Sequence, residues 1–389
     1  MGDIMVPTTD RGFDADILIV GAGPTGLTLA TALAGRGLSC LLVDRQPEAA
    51  NTSRAAVIHA RTLEVLEPLG VVDTLVARGI PSRRFTIRDR DHVLLPISFD
   101  DLPTRYPYAL MLSQAETEAV LLERLKCLGG QVSRPLTLTG LSQDDEGVTA
   151  GFADGGSCRV RYLVGADGMH SQVRDCAGIA FEGGSYSESF CLADVRLRGE
   201  LPDDEVILFF SPAGMVVVAP LPGGSHRVVA TVDEAPAHPD AAWVQGLLRE
   251  RGPATRPVMV DEVIWGSHFR VHHRVADRYR EGRVLLAGDA AHVHSPAGGQ
   301  GMNAGILDAV VLADALAAAL SGDAQALDDY GRVRRPAAQR IVTLADRLTR
   351  MATVPVWLRP LRNQLLRGLA RWPAVQKALA LRLSGLAYR

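Results

Sequence analysis

The chain has 389 residues, 47% of them hydrophobic, with a net charge of −3 and a mean hydropathy of +0.09. That is more apolar material than one simple domain needs, and the charge balance gives no reason to expect nucleic-acid binding. Five scattered cysteines (Cys40, Cys127, Cys158, Cys176, Cys191) with no CxxC pair point to reduced thiols in a cytoplasmic protein rather than a disulfide framework.

The N-terminal "MGDIMVPTTDRGFD" has neither the basic and apolar regions of a signal peptide nor, with Val6 in sixth place, a myristoylation signal. No apolar run reads as long enough to span a bilayer, so at most a surface contact with a membrane is expected. The first ordered element is "ADILIVGAGPTGLTLATALAGRGLSCLLVDR". A short apolar strand (Ile17 to Val20), a glycine turn, a helix ending near Gly35 and Gly37, and a strand from Cys40 to Val43 make a βαβ unit with parallel strands. A helical stretch from Arg61 to Val76 follows, then strand-like residues, then a capped helix over Ser113 to Leu128. From about Phe181 to Phe269 short β-type runs separated by Pro and Gly predict a largely antiparallel sheet inserted into an α/β domain. The α/β texture resumes at "GRVLLAGDAAH", and beyond Arg347 the chain is helical, basic and punctuated by Pro355, Pro360 and Pro373.

Gly21, Gly23 and Gly26 fit G-x-G-x-x-G between strand and helix. The first glycine makes the turn, the second admits a pyrophosphate to the backbone, and the third lets helix pack on strand. The helix N-terminus offers unpaired N–H groups and a partial positive charge. Asp44 stands 21 residues beyond Gly23, where a carboxylate accepts from a ribose hydroxyl. This predicts dinucleotide binding, either NAD or FAD; an acid at that place disfavours the 2′-phosphate of NADP. One fingerprint, not two, argues against a reductase with two dinucleotide domains.

A second segment poses a choice. "LLAGDAAHVHSPAGGQGMNAGILDA", Leu285 to Ala309, carries Asp289, His292 and His294, which could ligate a metal, and glycines that could cradle a cofactor. A zinc site needs three or four ligands with a supporting shell. No third ligand is evident apart from Asp289, so no metal is expected.

Together "GAGPTG", "YLVGADGMHSQVR" and "GRVLLAGDAAHVHSPAGGQGMNAGILDA" resemble the FAD-dependent aromatic hydroxylases of the p-hydroxybenzoate hydroxylase type. The resemblance runs from Asp14 to about Arg340 and is nearest to aromatic-polyketide tailoring oxygenases and rifampicin monooxygenase. It implies that Asp289 bonds the ribitol of FAD, and that Asp167 and Gly168 of the DG motif help hold the pyrophosphate. Arg45, Arg54 and Gln114 would contact the cofactor. The amides of Met302 and Asn303, after Gly299 and Gly301, would face the flavin N1 and O2, where backbone N–H groups can stabilise negative charge. Pro296 would lie beside the face that meets oxygen. The implied chemistry is reduction of FAD by NADPH or NADH, formation of a C4a-hydroperoxyflavin, and oxygen transfer to a phenolic or polycyclic aromatic substrate, with the hard chemistry residing in the cofactor.

The resulting expectation is an α/β (α+β overall) fold. A discontinuous Rossmann-like FAD-binding domain covers 14–77, 108–180 and 275–345. A substrate domain of mostly antiparallel sheet covers 78–107 and 181–274, and a basic helical tail covers 346–389. Candidate substrate residues are Phe209, Val216, Val218, His226, Trp265 and Phe269. The tail reads as too short for the thioredoxin-like domain of the polyketide-oxygenase relatives, and would pack on the FAD domain, lid the site, form a dimer contact or touch anionic lipid. Monomer and homodimer both stay open. Competing functions are a non-hydroxylating flavoprotein (an oxidase or Baeyer–Villiger-type enzyme), a quinone-pathway hydroxylase on a lipid-like substrate, and a halogenase. The last is disfavoured because the W-x-W-x-I-P stretch is missing and neither Lys126 nor Lys377 is suitably placed.

Overall fold

A computed structural model describes residues 12–49, 55–211, 213–232, 236 and 238–388, without the side chains of 186–188, 269–271 and 388. The βαβ unit forms as expected. Ala15–Val20 pairs in parallel with Cys40–Val43 on one side and Ser157–Gly165 on the other. Val132–Ser133 and Val284–Leu286 extend this parallel sheet at its two ends, and the hairpin Leu138–Gln143/Val148–Phe152 adds to Ser157–Gly165. Helix Pro24–Ala34 packs on helix Gly301–Leu320, while Gln114–Cys127 is capped by Ser113 Oγ accepting from the Glu116 amide at 3.2 Å.

The stretch read as one helix from Arg61 to Val76 is broken. It forms Ala60–Leu66, a 3₁₀ turn at Glu67–Leu69, and Val72–Arg78. Gly70 sits at φ +71°, a left-handed conformation that ends the turn at little cost only for glycine.

Among the described residues the second sheet contains eight strands, of which only Glu205–Ser211 beside Arg84–Asp89 runs parallel. Its backbone is a ribbon of two 18-residue strands, Phe181–Arg198 and Met259–Ala276, longer than the short runs expected. Register shifts let that ribbon twist without breaking. Residues 84–98 join this sheet although the next of its strands begins only at Phe181.

Because side chains alternate along a strand, this sheet has two faces with different neighbours. One face belongs to the main core and the cavity described below. The other carries Val195, Ile207, Phe209, Val216, Val218, Val228 and Ala230, packed on Val244, Leu247 and Leu248 of helix Ala241–Arg251 in a second core.

Helix Gly301–Leu320 is apolar and long enough to cross a membrane by length and composition, contrary to the expectation that no run would be. It serves as a core helix, with Ile306, Ala309, Leu312 and Leu316 fully buried. The fold is thus mixed α/β with a helical C-terminal region, as expected. Phe209 is among its largest fully buried side chains. Phe209→Ala should lower unfolding free energy in denaturant titrations by about 3–5 kcal/mol. It should leave ligand binding in the cavity unchanged, since the ring lies on the opposite face.

Candidate functional site

One continuous cavity of about 770 Å³ runs from the glycine turn after the first strand to the inner face of the second sheet. Such a volume suits a large organic ligand. At its first end the glycine requirements are steric. Gly21 has φ +106°, and a Cβ there would lie 2.3 Å from the Ala166 carbonyl oxygen. A Cβ on Gly26 would lie 1.9 Å from the Gly21 carbonyl oxygen. Beside Gly23 there is open space within 4 Å, on the cavity side, where a phosphate can meet backbone. Turn, close packing and approach are therefore divided among the three glycines as the motif demands.

Asp44 accepts from the Ala22 amide at 2.7 Å and from the Gln46 amide at 2.8 Å, which locks the carboxylate against the glycine turn while it lines the cavity. Arg45 also lines the cavity and is exposed. Gln114 donates to Glu118 at 2.8 Å and borders the cavity near Ala55. Arg54 lies outside the described residues. Asp167 accepts from the Val173 amide at 3.2 Å through Oδ2. Its buried Oδ1 has no partner among the described residues, and burial raises its carboxyl pKa. Gly168, at φ +83°, leaves open space beside it. Asp289 is exposed to the cavity just beyond the Val284–Leu286 strand.

At the far end the segment from Pro296 to Met302, apart from Gln300, forms the cavity wall. Gly298 and Gly299 both have positive φ, and a Cβ on Gly299 would strike Val57 Cγ1 at 2.2 Å. Side chains from three places hold this loop. His59 Nε2 donates to the Gly298 carbonyl at 2.9 Å. The Asn303 carboxamide donates to Gly299 at 2.8 Å and to Val57 at 2.9 Å, and accepts from the His59 amide at 2.8 Å. Gln300 Nε2 donates to the Gly298 carbonyl at 3.1 Å and the Leu383 carbonyl at 3.0 Å. The first amides of the helix that starts at Gly301 lack intrahelical partners, so their positive ends are free to meet negative charge. Besides the backbone amide expected of Asn303, its side chain fastens the loop. His59 and Gln300 were not anticipated at all.

The two histidines divide. His292 is fully buried, with Nε2 at 2.7 Å from Asp308 Oδ2 and its ring stacked on Tyr279. Arg334 Nε donates to Asp308 Oδ1 at 2.6 Å, and the Gly288 amide donates to Oδ2 at 3.0 Å, so this buried group is an ion network that braces the loop carrying Asp289. Among the described residues no cluster of His, Cys, Asp or Glu could hold a metal. His294 instead borders the cavity, its Cε1 4.0 Å from a Cβ position on Gly301. Its Nδ1 meets the Ser295 carbonyl at 2.8 Å and must carry the proton there. Nε2 is left as a buried lone-pair acceptor with no partner among the described residues. Burial lowers the pKa of both His59 and His294 to about 4.

The substrate-side wall differs from the expectation by one residue. Phe209, Val216 and Val218 point to the second core, and the cavity is faced by Leu208, Phe210, Met215 and Val217. A shift of one along a strand exchanges faces, and here both faces are apolar, so the sequence carried no alternation to decide between them. His226 sits next to cavity-facing Arg227 on its strand and therefore projects to the other face. Trp265 is not part of the wall; it lies 6.0 Å from the Arg227 guanidinium. The Phe269 side chain lies outside the described residues. Arg227, bidentate to Asp194 at 2.7 and 2.8 Å, is the charged feature of this wall that sequence reading overlooked. The tail contributes Leu366, Leu369, Val375, Leu379, Arg382 and Leu383, closing the cavity from the outside.

Residues 14–345 match the model of an FAD binding domain family. The chain belongs to that FAD-binding family. It is 37% identical over 343 residues to pentachlorophenol 4-monooxygenase of Sphingobium chlorophenolicum, covering 85% of this chain and 63% of that protein. It is 41% identical over 354 residues to 6-methylpretetramide 4-monooxygenase of Streptomyces rimosus, covering 88% and 62%. The chain thus spans about three fifths of these curated relatives' length. Its fold matches p-nitrophenol 4-monooxygenase from Pseudomonas putida DLL-E4 with a TM-score of 0.83 at 25% identity, over 95% of this chain and 97% of that one. The resemblance to aromatic hydroxylases read from the three motifs is borne out. The open space beside Gly23 and Gly168, the orphaned Asp167 Oδ1 and the exposed Asp289 all fit FAD.

Two outcomes follow from this geometry. Asn303→Ala strands the Val57 and Gly299 carbonyls and the His59 amide. It should cost about 3 kcal/mol or more in unfolding free energy and weaken FAD retention in parallel, as measured by denaturant titration and flavin absorbance after gel filtration. The pH dependence has a definite sign. With folded pKa values near 4 against 6.5 for an ordinary imidazole, His59 and His294 bind protons more readily when unfolded. Their contribution to stability is therefore complete above about pH 6.5 and lost progressively down to about pH 4. Melting temperature should fall over that window, and less steeply in His59→Gln.

Proposed function

We propose that this protein is an FAD-dependent monooxygenase that uses NADPH or NADH and O₂ to hydroxylate a phenolic or polycyclic aromatic substrate in the cytoplasm. The observation that carries this reading is the continuity of the cavity, which joins a dinucleotide turn and a glycine cradle to an apolar wall wide enough for aromatic rings. Relatives named as monooxygenases of pentachlorophenol and of a tetracycline-type precursor support the same class of substrate. In the overall reaction one atom of O₂ replaces a ring hydrogen as hydroxyl, the other leaves as water, and the nicotinamide supplies two electrons. When bound, the flavin supplies hydride acceptance and oxygen activation.

This chain's own residues would do the rest. Asp44 and the Gly21–Gly26 turn anchor the adenosine and pyrophosphate end, and Asp289 takes the ribitol hydroxyls. The amides of Met302 and Asn303 offer a fixed positive edge for negative charge on the reduced ring. Pro296 and the apolar side chains of Leu208, Phe210, Met215 and Val217 keep water from the reacting face. His294, neutral at physiological pH, offers Nε2 as an acceptor for a hydroxyl or ring N–H, which orients its donor without adding charge.

The test is NADPH or NADH oxidation by the FAD-loaded protein with and without candidate phenols, with product followed by mass spectrometry. Substrate-stimulated oxidation that yields a product heavier by one oxygen, labelled from ¹⁸O₂, is expected. Stimulated oxidation that releases only hydrogen peroxide would instead mark an oxidase. Asp289→Ala should purify without flavin. His294→Ala should retain FAD yet turn over about tenfold more slowly, the effect of losing one hydrogen bond of about 1.4 kcal/mol.

A further inference from the structure

Nine large hydrophobic side chains are exposed among the described residues, and five of them crowd into the tail. Trp357 is 77% exposed, Trp372 67%, Val356 64%, Leu361 63% and Leu365 61%. Trp357, Leu361 and Leu365 recur every four residues, so they form one stripe along helix Arg359–Leu369 and the turn before it. The helix exposes this stripe while burying polar side chains beside Leu366. Its inward positions include Arg362, which donates to the Phe210 carbonyl at 3.0 Å with its guanidinium 4.7 Å from the Phe210 ring, and Asn363, which donates to Asp89 at 2.8 Å. A helix on a water-exposed surface normally keeps its large apolar side chains on the inner face alone.

Charge identifies what covers the stripe. From Arg347 to Arg389 there are nine basic residues and no acidic one, in a chain whose net charge is −3. Arg347, Arg350, Arg367, Arg371 and Lys377 are exposed. A two-fold contact with a second copy would bring these like charges together. An anionic lipid surface accepts both features, with leucines and tryptophans entering the headgroup boundary and arginines meeting phosphates.

We propose that the tail docks this protein on anionic membrane surfaces through Trp357, Leu361, Leu365 and Trp372. Leu366 and Leu369 of the same helix, and Val375, Leu379 and Leu383 of the next, wall the cavity from within. Docking therefore brings the cavity to the bilayer, where sparingly soluble aromatic compounds concentrate.

The experiment is flotation of the FAD-loaded protein with phosphatidylcholine vesicles and with phosphatidylcholine/phosphatidylglycerol vesicles. The protein should float with the anionic vesicles only, and raised salt should release it. Trp357→Ser/Leu361→Ser/Leu365→Ser should abolish flotation, and Arg367→Gln/Arg371→Gln/Lys377→Gln should weaken it at least tenfold. Both variants should keep native circular dichroism and bound flavin, which separates this result from any failure of the FAD reading. The proposal is overturned if the protein floats with neither vesicle or equally with both, or if the serine variant still floats. It is equally overturned if light scattering shows a dimer that the serine substitutions dissociate, which would make the stripe a contact between copies.

Discussion

A backbone that must lie bare against a ligand cannot be shaped by its own side chains. The Gly298–Gly301 segment meets this constraint by having its shape imposed from outside. The Asn303 carboxamide spends both donors and its acceptor on Gly299, Val57 and His59, His59 holds the Gly298 carbonyl, and Gln300 holds Gly298 and Leu383. The Asn303, His59 and Gln300 side chains are buried, so removing one leaves desolvated groups behind it unpaired rather than exchanging them for water. Neutral histidine is the suitable residue at position 59, since burial makes a charged imidazole costly there and holds its pKa down to about 4.

The same logic of fixing a loop from behind explains the buried charges. Asp308 gathers His292, Arg334 and the Gly288 amide beneath the loop that presents Asp289. Isolated, such a carboxylate would be costly to bury. Paired with Arg334 it stays ionised, its pKa lowered by that guanidinium and by His292 against the opposing effect of burial. The histidine that looked like a metal ligand in the sequence is thus a brace, and its neighbour two residues on, His294, is the one at the cavity.

Sequence reading reached the parts of this site that depend on backbone. Glycines at Gly21, Gly23 and Gly26 are required by turn, approach and packing, and those requirements leave a spacing that one sequence displays. Asp289 and Met302 came from the resemblance of the surrounding motif rather than from spacing alone, and both line the cavity. What escaped was set by tertiary contact. His59 acts on a loop 239 residues away, and nothing local to it marks that duty. The wall of the cavity was misread by one residue because strands Glu205–Ser211, Gly214–Leu221 and Ser225–Val232 are buried on both sides. Val216 and Val217 look alike in sequence and face opposite cores. Only the arrival of helix Ala241–Arg251 on one face decides which is which. Arg227 was passed over because a charged residue in an apolar strand makes sense only once Asp194 is seen beside it.

The tail is where local pattern and global role diverge most. Its composition reads as a basic amphipathic appendage, yet it is wired into the centre of the molecule. Gln300 of the glycine loop bonds Leu383, and the Arg61 amide bonds the Ser384 carbonyl at 3.1 Å. Arg362 reaches the Phe210 carbonyl on the sheet that faces the cavity. The tail therefore touches both the loop that cradles one side of the cavity and the sheet that walls the other. Asn363 adds a fourth polar anchor, donating to Asp89 of the same sheet at 2.8 Å. A surface that engages the outer stripe would meet the helices whose inner side walls the cavity, so its effect would be on the position of the cavity and access to it.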